Sequence, residues 1–334
     1  MKNNKLIVVL GMHRSGTSTI TRGLKVMGVG LGDRLIPPVE GNNSKGFWED
    51  IDLNALDTEI LHAIGRDWFH VTTLDSVDLE NLQEKGFHLR AAELLLLKAH
   101  NEIVFGFKDP RVAKLLPFWK EVFCQCQFDV TYILVVRHPL SVVKSLAKRD
   151  GLEAEQSYLL WLGHVLTSLI GSTDEKRLLV DYDRLMQAPD HELMRIARCA
   201  DLEIDPGELQ NYKNEFLDQS LRHTVYDLND LLLEDSCPPI VREVYGALLD
   251  VASEKIKFDD KALQEKIERW SDEFERLRPS LQLIDRILVQ KAECDSQIGN
   301  LNQIVGERDG QLTGLNEAAM ERDGQIASLS ETVS

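Results

Sequence analysis

Short apolar runs alternate with helix-periodic segments over most of the chain. Four runs have the length of a strand and few polar interruptions: Leu6 to Leu10, Ile103 to Phe107, Val130 to Val136 and Leu178 to Val180. Continuous apolar runs are typical of strands covered on both faces, as in a parallel sheet with helices on either side. The pattern predicts an α/β fold with a central parallel sheet.

Helical periodicity fills the intervals between these runs. After the first run, apolar residues at Ile20, Leu24, Met27 and Val29 form one helical stripe. The same criterion predicts further helices at Leu53 to Ile64, Leu79 to Ala99, Val112 to Cys126, Leu140 to Lys148 and His191 to Ala200. We therefore expect a P-loop-type, three-layer domain over residues 1–255, followed by a helical linker over 256–280.

A heptad pattern marks the end of the chain. One heptad position is apolar throughout, at Ile298, Val305, Leu312, Ala319, Ile326 and Val333. Its partner position is Leu301, Leu315 and Leu329, with Arg308 and Arg322 at the two remaining places. A pattern of this kind predicts a coiled-coil tail over 281–334, with a polar layer in alternate heptads. Several glycines weaken a lone helix here, so we expect a homo-oligomer or another partner helix.

Composition excludes several classes of protein. The 334 residues carry a formal net charge of -17, which disfavours nucleic acid and anionic membrane surfaces as partners. No apolar run is long enough to span a bilayer, so no membrane span is predicted. Five scattered cysteines fit a reduced compartment better than a disulfide framework, which predicts a cytoplasmic protein.

The segment Gly11 to Ser18 joins the first apolar run to the first predicted helix. A strand, a turn of small residues and a helix start form an anion cradle, because backbone N–H groups and the helix dipole both point at the ligand. The spacing matches a nucleotide phosphate loop, except that no Lys follows Gly16. Arg14, inside the loop, is the basic residue that takes its place.

Two further groups of residues follow predicted strands. Lys108 to Arg111 comes at the carboxyl end of the second strand, where parallel α/β sheets bind ligands. Arg137 ends the third strand, and Ser145 lies eight residues later in a helix that Pro139 starts, so this pair predicts a second phosphate site. Transfer of a γ-phosphoryl group needs the loop Lys and Mg²⁺, whereas a sulfuryl group needs no metal. We expect a ligand with a 5′-linked anion and a separate ribose phosphate.

These three motifs carry a resemblance to a known family. GMHRSGTS, then KDPR, then RHPLSVVKS resembles the sulfotransferases that use 3′-phosphoadenylyl sulfate (PAPS). That family has a 5′-phosphosulfate loop of the form (K/R)SGT(S/T) and a 3′-phosphate motif with Arg and Ser eight residues apart. The resemblance is closest to bacterial sulfotransferase-like domains found near glycan-assembly enzymes. It covers about residues 5–225 and does not include the tail.

The resemblance implies in-line transfer of a sulfuryl group from PAPS, as co-substrate and without a metal, to an acceptor hydroxyl. The cofactor-binding residues that it implies are His13, Arg14, Ser15, Gly16, Thr17, Ser18, Arg137 and Ser145. The late Arg-Lys-Gly segment that closes over the 3′-phosphate in cytosolic members is missing, and Arg222-His223 is the candidate to replace it. No Trp can be assigned to the adenine base.

Catalysis needs a carboxylate that takes the acceptor proton and cations that stabilise the bridging oxygen. Glu49 is the first candidate for the base, because it follows the loop where related enzymes place theirs. Glu40 and His13 are the alternatives. Lys108 and Arg14 are the predicted cations. The competing interpretations are that Glu49 is a surface carboxylate and that Lys108 forms a salt bridge with its neighbour Asp109.

The sequence therefore predicts a sulfotransferase that acts on a hydroxyl of a glycan or small metabolite. Two alternatives belong to other classes. A nucleotide-dependent kinase would bind ATP with Mg²⁺, and the missing loop Lys counts against it. A catalytically inactive nucleotide-binding domain, serving as an assembly module through its coiled coil, would tolerate changes at Glu49 and Lys108 but not deletion of residues 281–334.

Overall fold

Four parallel strands form the sheet at the centre of the structure. The computed structural model describes residues 5–40, 43–217 and 226–333. Within them the strand order is β2-β1-β3-β4, and every pairing is parallel. The strands are β1 (Lys5–Leu10), β2 (Val104–Lys108), β3 (Asp129–Val136) and β4 (Lys176–Asp181). The α/β fold with a central parallel sheet is confirmed.

Helices connect the strands and cover both faces of the sheet. In the described residues they are α1 (Thr17–Leu24), α2 (Ile51–Ala63), α3 (Ser76–Glu84), α4 (Phe87–Ala99), α5 (Val112–Gln125), α6 (Pro139–Asp150), α7 (Ala154–Gly171), α8 (Tyr182–Gln187), α9 (Pro189–Ala200), α10 (Pro206–Asn211), α11 (Pro239–Ala252), α12 (Lys261–Arg276) and α13 (Arg278–Val333). The single helix predicted over Leu79 to Ala99 is wrong. Gly86, at φ 76°, ends one helical segment and begins the next, so the range holds the separate helices α3 and α4.

The two faces of the sheet have separate apolar layers. On one face, β1 and β3 pack against α1 and α9 through Ile7, Val9, Ile133, Val135, Ile20, Leu24, Leu193 and Ile196. The opposite face meets α7 and α11, where Leu134 and Val136 lie near Val165, Leu169 and Leu248. Each fully buried aliphatic side chain contributes about 1.5–3 kcal/mol. Burial on both faces is the physical reason that these strands are apolar throughout.

The register brings the carboxyl ends of all four strands to one edge. Val9 of β1 lies beside Lys108 of β2, and Val136 of β3 lies beside Asp181 of β4. The loop that follows β1 therefore emerges between the ends of β2 and β3. Parallel α/β sheets bind their ligands at this edge.

The chain divides into two units, residues 1–279 and 280–334. Helix α12 lies in the predicted linker range 256–280, belongs to the first unit and buries Leu263, Ile267, Trp270 and Phe274. Helix α13 begins at Arg278 and continues through the second unit to Val333. The heptad positions from Ile298 to Leu329 are exposed, so the coiled coil stays a prediction. None of the described helices combines the length and apolarity that crossing a membrane requires.

Candidate functional site

The loop 11–18 turns sharply at two residues with positive φ. Arg14 has φ 68° and Gly16 has φ 86°. A Cβ atom on Gly16 would lie 2.0 Å from the ring of Tyr182, which follows β4, so this position needs glycine for space as well as for its backbone. The Ser15 N–H donates to the Met12 carbonyl at 3.2 Å and closes the turn. The conformation of the loop is therefore held by its own backbone hydrogen bond and by the Tyr182 ring that packs against Gly16.

Helix α1 begins directly after Gly16, and no side chain caps its first turn. The first N–H groups of a helix have no partner inside the helix, and the positive end of the helix dipole lies there. Thr17 is buried, whereas the Ser18 side chain is half-buried at the same turn. This turn therefore has the polarity that phosphate and sulfate groups require.

One group of side chains, here called the Lys108 cluster, consists of Ser18, Glu49, Asn54, Lys108 and Asp109. The Lys108 ammonium donates to Ser18 Oγ at 3.2 Å, to the Phe47 carbonyl at 3.0 Å and to the Glu49 carboxylate. Lys108 is 4% exposed and Glu49 is 6% exposed. The cluster thus holds a buried ion pair against the end of the loop.

Glu49 lies immediately before Asp50, the residue that caps α2. Burial raises the pKa of Glu49 above its ordinary value, while the nearby Lys108 opposes that rise. The interpretation of Glu49 as a surface carboxylate is wrong, because the side chain is enclosed. The proposed salt bridge between Lys108 and Asp109 is also absent from the described ion pairs, in which Asp109 binds Arg111 at 3.1 Å.

Asn54 connects the two carboxylates of the Lys108 cluster. Its Nδ2 donates to Glu49 Oε2 at 2.9 Å and to Asp109 Oδ2 at 2.7 Å. Asp57, one turn further along α2, is fully buried and accepts a hydrogen bond from the indole of Trp119 at 2.8 Å. Burial and the nearby Asp109 raise the pKa of Asp57 well above its ordinary value. The sequence pattern does not single out Asn54 or Asp57, because nothing in their spacing distinguishes them from other polar residues of an amphipathic helix.

A second group, the Arg137 cluster, consists of Arg14, Arg137, Ser145 and Tyr182. Arg14 Nε donates to Ser145 Oγ at 2.8 Å, and Arg137 Nη1 donates to the Arg14 carbonyl at 3.1 Å. The Arg137 guanidinium lies over the Tyr182 ring, 4.7 Å from its centre. Burial, followed by Arg149 and Arg137, lowers the pKa of Arg14. The structure therefore brings Arg137 and Ser145 to the same loop, with Arg14 between them.

The other predicted residues lie at different positions. His13 packs against Trp68, with ring centres 4.7 Å apart, and burial followed by Arg111 lowers its pKa well below the ordinary value. Ser15 is buried, and its hydroxyl has no hydrogen-bond partner among the described residues. Glu40 is exposed beside a range that the structure does not describe. Arg222-His223 lies outside the described residues.

Trp68 packs against His13 and Arg149 lies over the Trp68 ring, and neither residue was predicted to belong to the site. The Arg149 guanidinium lies 5.2 Å from the centre of the Trp68 ring, and Arg149 also pairs with Asp150 at 2.6 Å. Arg149 follows Ser145 by one helical turn on α6, which places both residues on one helix face. The four-residue spacing from Ser145 could have predicted that Arg149 lies at the site. Trp68 lies in a loop, where no helical or strand periodicity indicates the direction of a side chain.

One acidic group of the described residues has the spacing of metal ligands, namely Asp33, Asp50 and Asp52. The Lys98 ammonium lies among all three carboxylates, at 2.6, 3.0 and 2.6 Å. Asp50 also caps α2 by accepting from the N–H groups of Asp52 and Leu53. A lysine therefore supplies the positive charge in this group, and its structural role is to hold the start of α2.

No family model matches the chain, and no curated protein does. Among solved structures, the sulfotransferase domain of the olefin synthase from Synechococcus PCC 7002 matches with 18% identity and a TM-score of 0.40, over 82% of this chain and 96% of that chain. Sulfotransferase STF1 from Mycobacterium tuberculosis matches with 14% identity and a TM-score of 0.36, over 67% and 74%. Mouse sulfotransferase SULT7A1, complexed with PAP, matches with 12% identity and a TM-score of 0.36, over 81% and 90%. All three are sulfotransferases, the family that the sequence motifs resemble.

Proposed function

We propose that this chain transfers a sulfuryl group from PAPS to a hydroxyl of a glycan or small metabolite. The observation that carries the proposal is the meeting of two basic clusters on one phosphate-type loop. Lys108 contacts the loop at Ser18, and Arg137 contacts it at Arg14. A carboxylate suited to proton transfer, Glu49, lies in contact with the first of these cations.

The residues of the loop and of the Arg137 cluster fit the donor. Arg137 Nε is enclosed and has no hydrogen-bond partner among the described residues, so a guanidinium donor is left for an anion. The loop N–H groups and Ser18 would hold the 5′-phosphosulfate, while Arg137 and Ser145 would hold the 3′-phosphate. PAPS supplies an activated sulfuryl group whose transfer needs no metal. The chain would thus supply hydrogen-bond donors to both anionic groups of PAPS, and Arg14 lies between the two sets of donors.

The Lys108 cluster contains the groups that the chemical step needs. Glu49 accepts the proton of the acceptor hydroxyl, and its raised pKa makes it a stronger base than an exposed carboxylate. Lys108 and Arg14 stabilise the negative charge that develops on the bridging oxygen. Lys108 is already held against Ser18 at 3.2 Å, so this cation needs little reorganisation during transfer. The buried position of the pair also excludes water from the proton transfer.

The cellular setting and the partner of the tail belong to the same proposal. All five cysteines are free thiols, which supports a reduced, cytoplasmic compartment. On α13, Ile298, Leu312 and Leu329 are 55%, 57% and 66% exposed. Burying these exposed heptad residues requires another helix, which supports a homo-oligomer or a partner that binds through a coiled coil.

The test is calorimetric titration of the full chain with adenosine 3′,5′-bisphosphate and, separately, with ATP plus Mg²⁺. We expect the bisphosphate to bind at least tenfold more tightly, because only it presents a phosphate to each end of the loop. Transfer of radiolabelled sulfate from PAPS to a mixed glycan pool then tests turnover. Tighter binding of ATP would support the kinase instead, and failure to bind either ligand would support the assembly module.

A further inference from the structure

Asn54 lies at the point where the Lys108 cluster meets α2. The helix begins at Ile51, after Asp50 accepts hydrogen bonds from the N–H groups of Asp52 and Leu53. That cap fixes the first turn of α2 and, with it, the position of the Asn54 side chain. The amide nitrogen of Asn54 lies between two carboxylates and donates to both of them.

Asp109 holds this amide from the side away from the loop. It is 1% exposed, and its Oδ1 accepts the backbone N–H of Arg111 at 2.8 Å. The Arg111 guanidinium donates to both oxygens of Asp109 at 3.1 Å. A carboxylate with this many donors keeps one orientation, so Asp109 is a fixed acceptor for Asn54.

We propose that Asn54 is a positioning residue that orients the Glu49 carboxylate for proton transfer. The inference rests on the proposed function, in which Glu49 is the base. Asn54 binds Oε2 of Glu49 while Lys108 binds Oε1, so both oxygens have a defined direction. Each carboxylate oxygen has two lone pairs, so these contacts leave room for the acceptor hydroxyl.

Asn54 also separates two negative charges. An N–H donor favours the charged form of a carboxylate, whereas a second carboxylate nearby disfavours it. Asp109 raises the pKa of Glu49 through its charge. With the shared amide in place, Glu49 and Asp109 each receive one of its N–H groups. Without that amide, Glu49 would face Asp109 with no donor between them and would hold its proton to a higher pH.

The test compares Asn54→Ala and Asn54→Asp with the control Thr58→Val. Thr58 lies one turn further along α2, and its hydroxyl donates to the Asn54 backbone carbonyl, not to either carboxylate. Titration of the ¹³C-labelled Glu49 carboxyl, identified by its loss in Glu49→Gln, measures protonation directly. We expect the Glu49 titration to move to higher pH in Asn54→Ala and further in Asn54→Asp, and to be unchanged in Thr58→Val.

Turnover provides the second readout. In Asn54→Ala, kcat should fall about tenfold at the lowest pH of the profile and recover as the pH rises, with KM for PAPS unchanged. A purely structural role would lower kcat equally at every pH. An unchanged Glu49 titration in both Asn54 variants would overturn the inference whatever the turnover. If the titration moves but the unaltered chain transfers no sulfuryl group, the positioning by Asn54 stands and the proposed function fails.

Discussion

The Lys108 cluster and the Arg137 cluster contact the same loop, but they balance positive charge differently. Lys108 has a carboxylate partner inside the protein, and both members of that ion pair are buried. Arg137 occurs in none of the ion pairs among the described residues. Its guanidinium contacts the Arg14 carbonyl and the Tyr182 ring, and its Nε has no hydrogen-bond partner there. One cation is therefore neutralised by the fold, and the other is not.

This difference in charge balance indicates that one cluster binds a ligand and the other takes part in a chemical step. A half-buried cation without a carboxylate partner is available to a ligand that brings the negative charge, which suits the Arg137 cluster to a bound phosphate. In a buried pair such as Lys108 and Glu49, the carboxylate can take a proton from a substrate while the ammonium stabilises the negative charge that develops on the substrate oxygen. The first arrangement favours binding, and the second favours a chemical step.

The largest effect is expected for Lys108→Met. The change leaves Glu49 buried without its cation, which should lower the free energy of unfolding by about 3–5 kcal/mol at neutral pH. It also removes a donor to the bridging oxygen, which should lower kcat about 100- to 1,000-fold. Denaturant unfolding and the sulfuryl transfer assay measure the two effects.

The double variant Lys108→Met with Glu49→Gln is the matched control. It removes both charges, so stability should return while activity stays lost. If the single variant keeps its stability and its turnover, then the pair has no role at the loop and the comparison fails.

A smaller effect is expected for Arg137→Ala, and it should concern affinity alone. Arg137 is half-buried and has no carboxylate partner among the described residues, so its loss should change the free energy of unfolding by less than about 1 kcal/mol. Affinity for adenosine 3′,5′-bisphosphate should fall about 10- to 100-fold, because a charge-assisted hydrogen bond to phosphate is lost. Calorimetry measures both quantities on one preparation.

Adenosine 5′-monophosphate, which lacks the 3′-phosphate, serves as the control ligand for Arg137→Ala. Its affinity should be almost the same for the variant and the unaltered chain. An equal loss for both ligands would assign Arg137 to the 5′ side of the donor, and it would contradict the proposed role of the cluster.

The sequence predicted the parts of the site that local pattern determines. Gly16 needs its positive φ, and strand ends such as Lys108 and Arg137 must meet at one edge once the strands are parallel. The partners of these residues depend on how side chains pack, which no spacing reveals. Ser145 was paired with Arg137 in the prediction, whereas its hydroxyl accepts from Arg14 in the structure.

The fold shows the same limit. Strands β1 to β4 were all located from apolar runs, but α7 was not predicted. Its buried residues run almost without interruption from Gln156 to Leu169, so it has no polar face and no helical period to detect. The tail is the converse case, because a heptad pattern predicts its helix but cannot identify the partner that would cover Leu312 or Leu329.

The smallest effect on the ligand site itself is expected for Asp181→Asn, beside the Arg137 cluster. Burial raises the pKa of Asp181 to about 6, and its side chain caps α8 by accepting from the Arg184 N–H at 2.9 Å. Between pH 4 and 6 the folded chain keeps a proton that the unfolded chain releases, so stability falls as the pH rises through this window. Asparagine keeps the cap and removes that dependence. Above pH 6 the variant should be more stable by at most about 3 kcal/mol, and at pH 4 the two should be equal.

Thermal unfolding of both proteins across pH 4 to 8 measures this difference. Asp181 directly precedes Tyr182, and the Arg137 guanidinium lies over the Tyr182 ring. The protonation state of Asp181 therefore decides whether a negative charge lies next to the Arg137 cluster. A carboxylate that costs stability when it ionises is not held there as a counter-ion for Arg137. If Asp181→Asn is instead less stable at pH 7 and also binds adenosine 3′,5′-bisphosphate more weakly, then Asp181 is such a counter-ion, and the two clusters balance their charge in the same way.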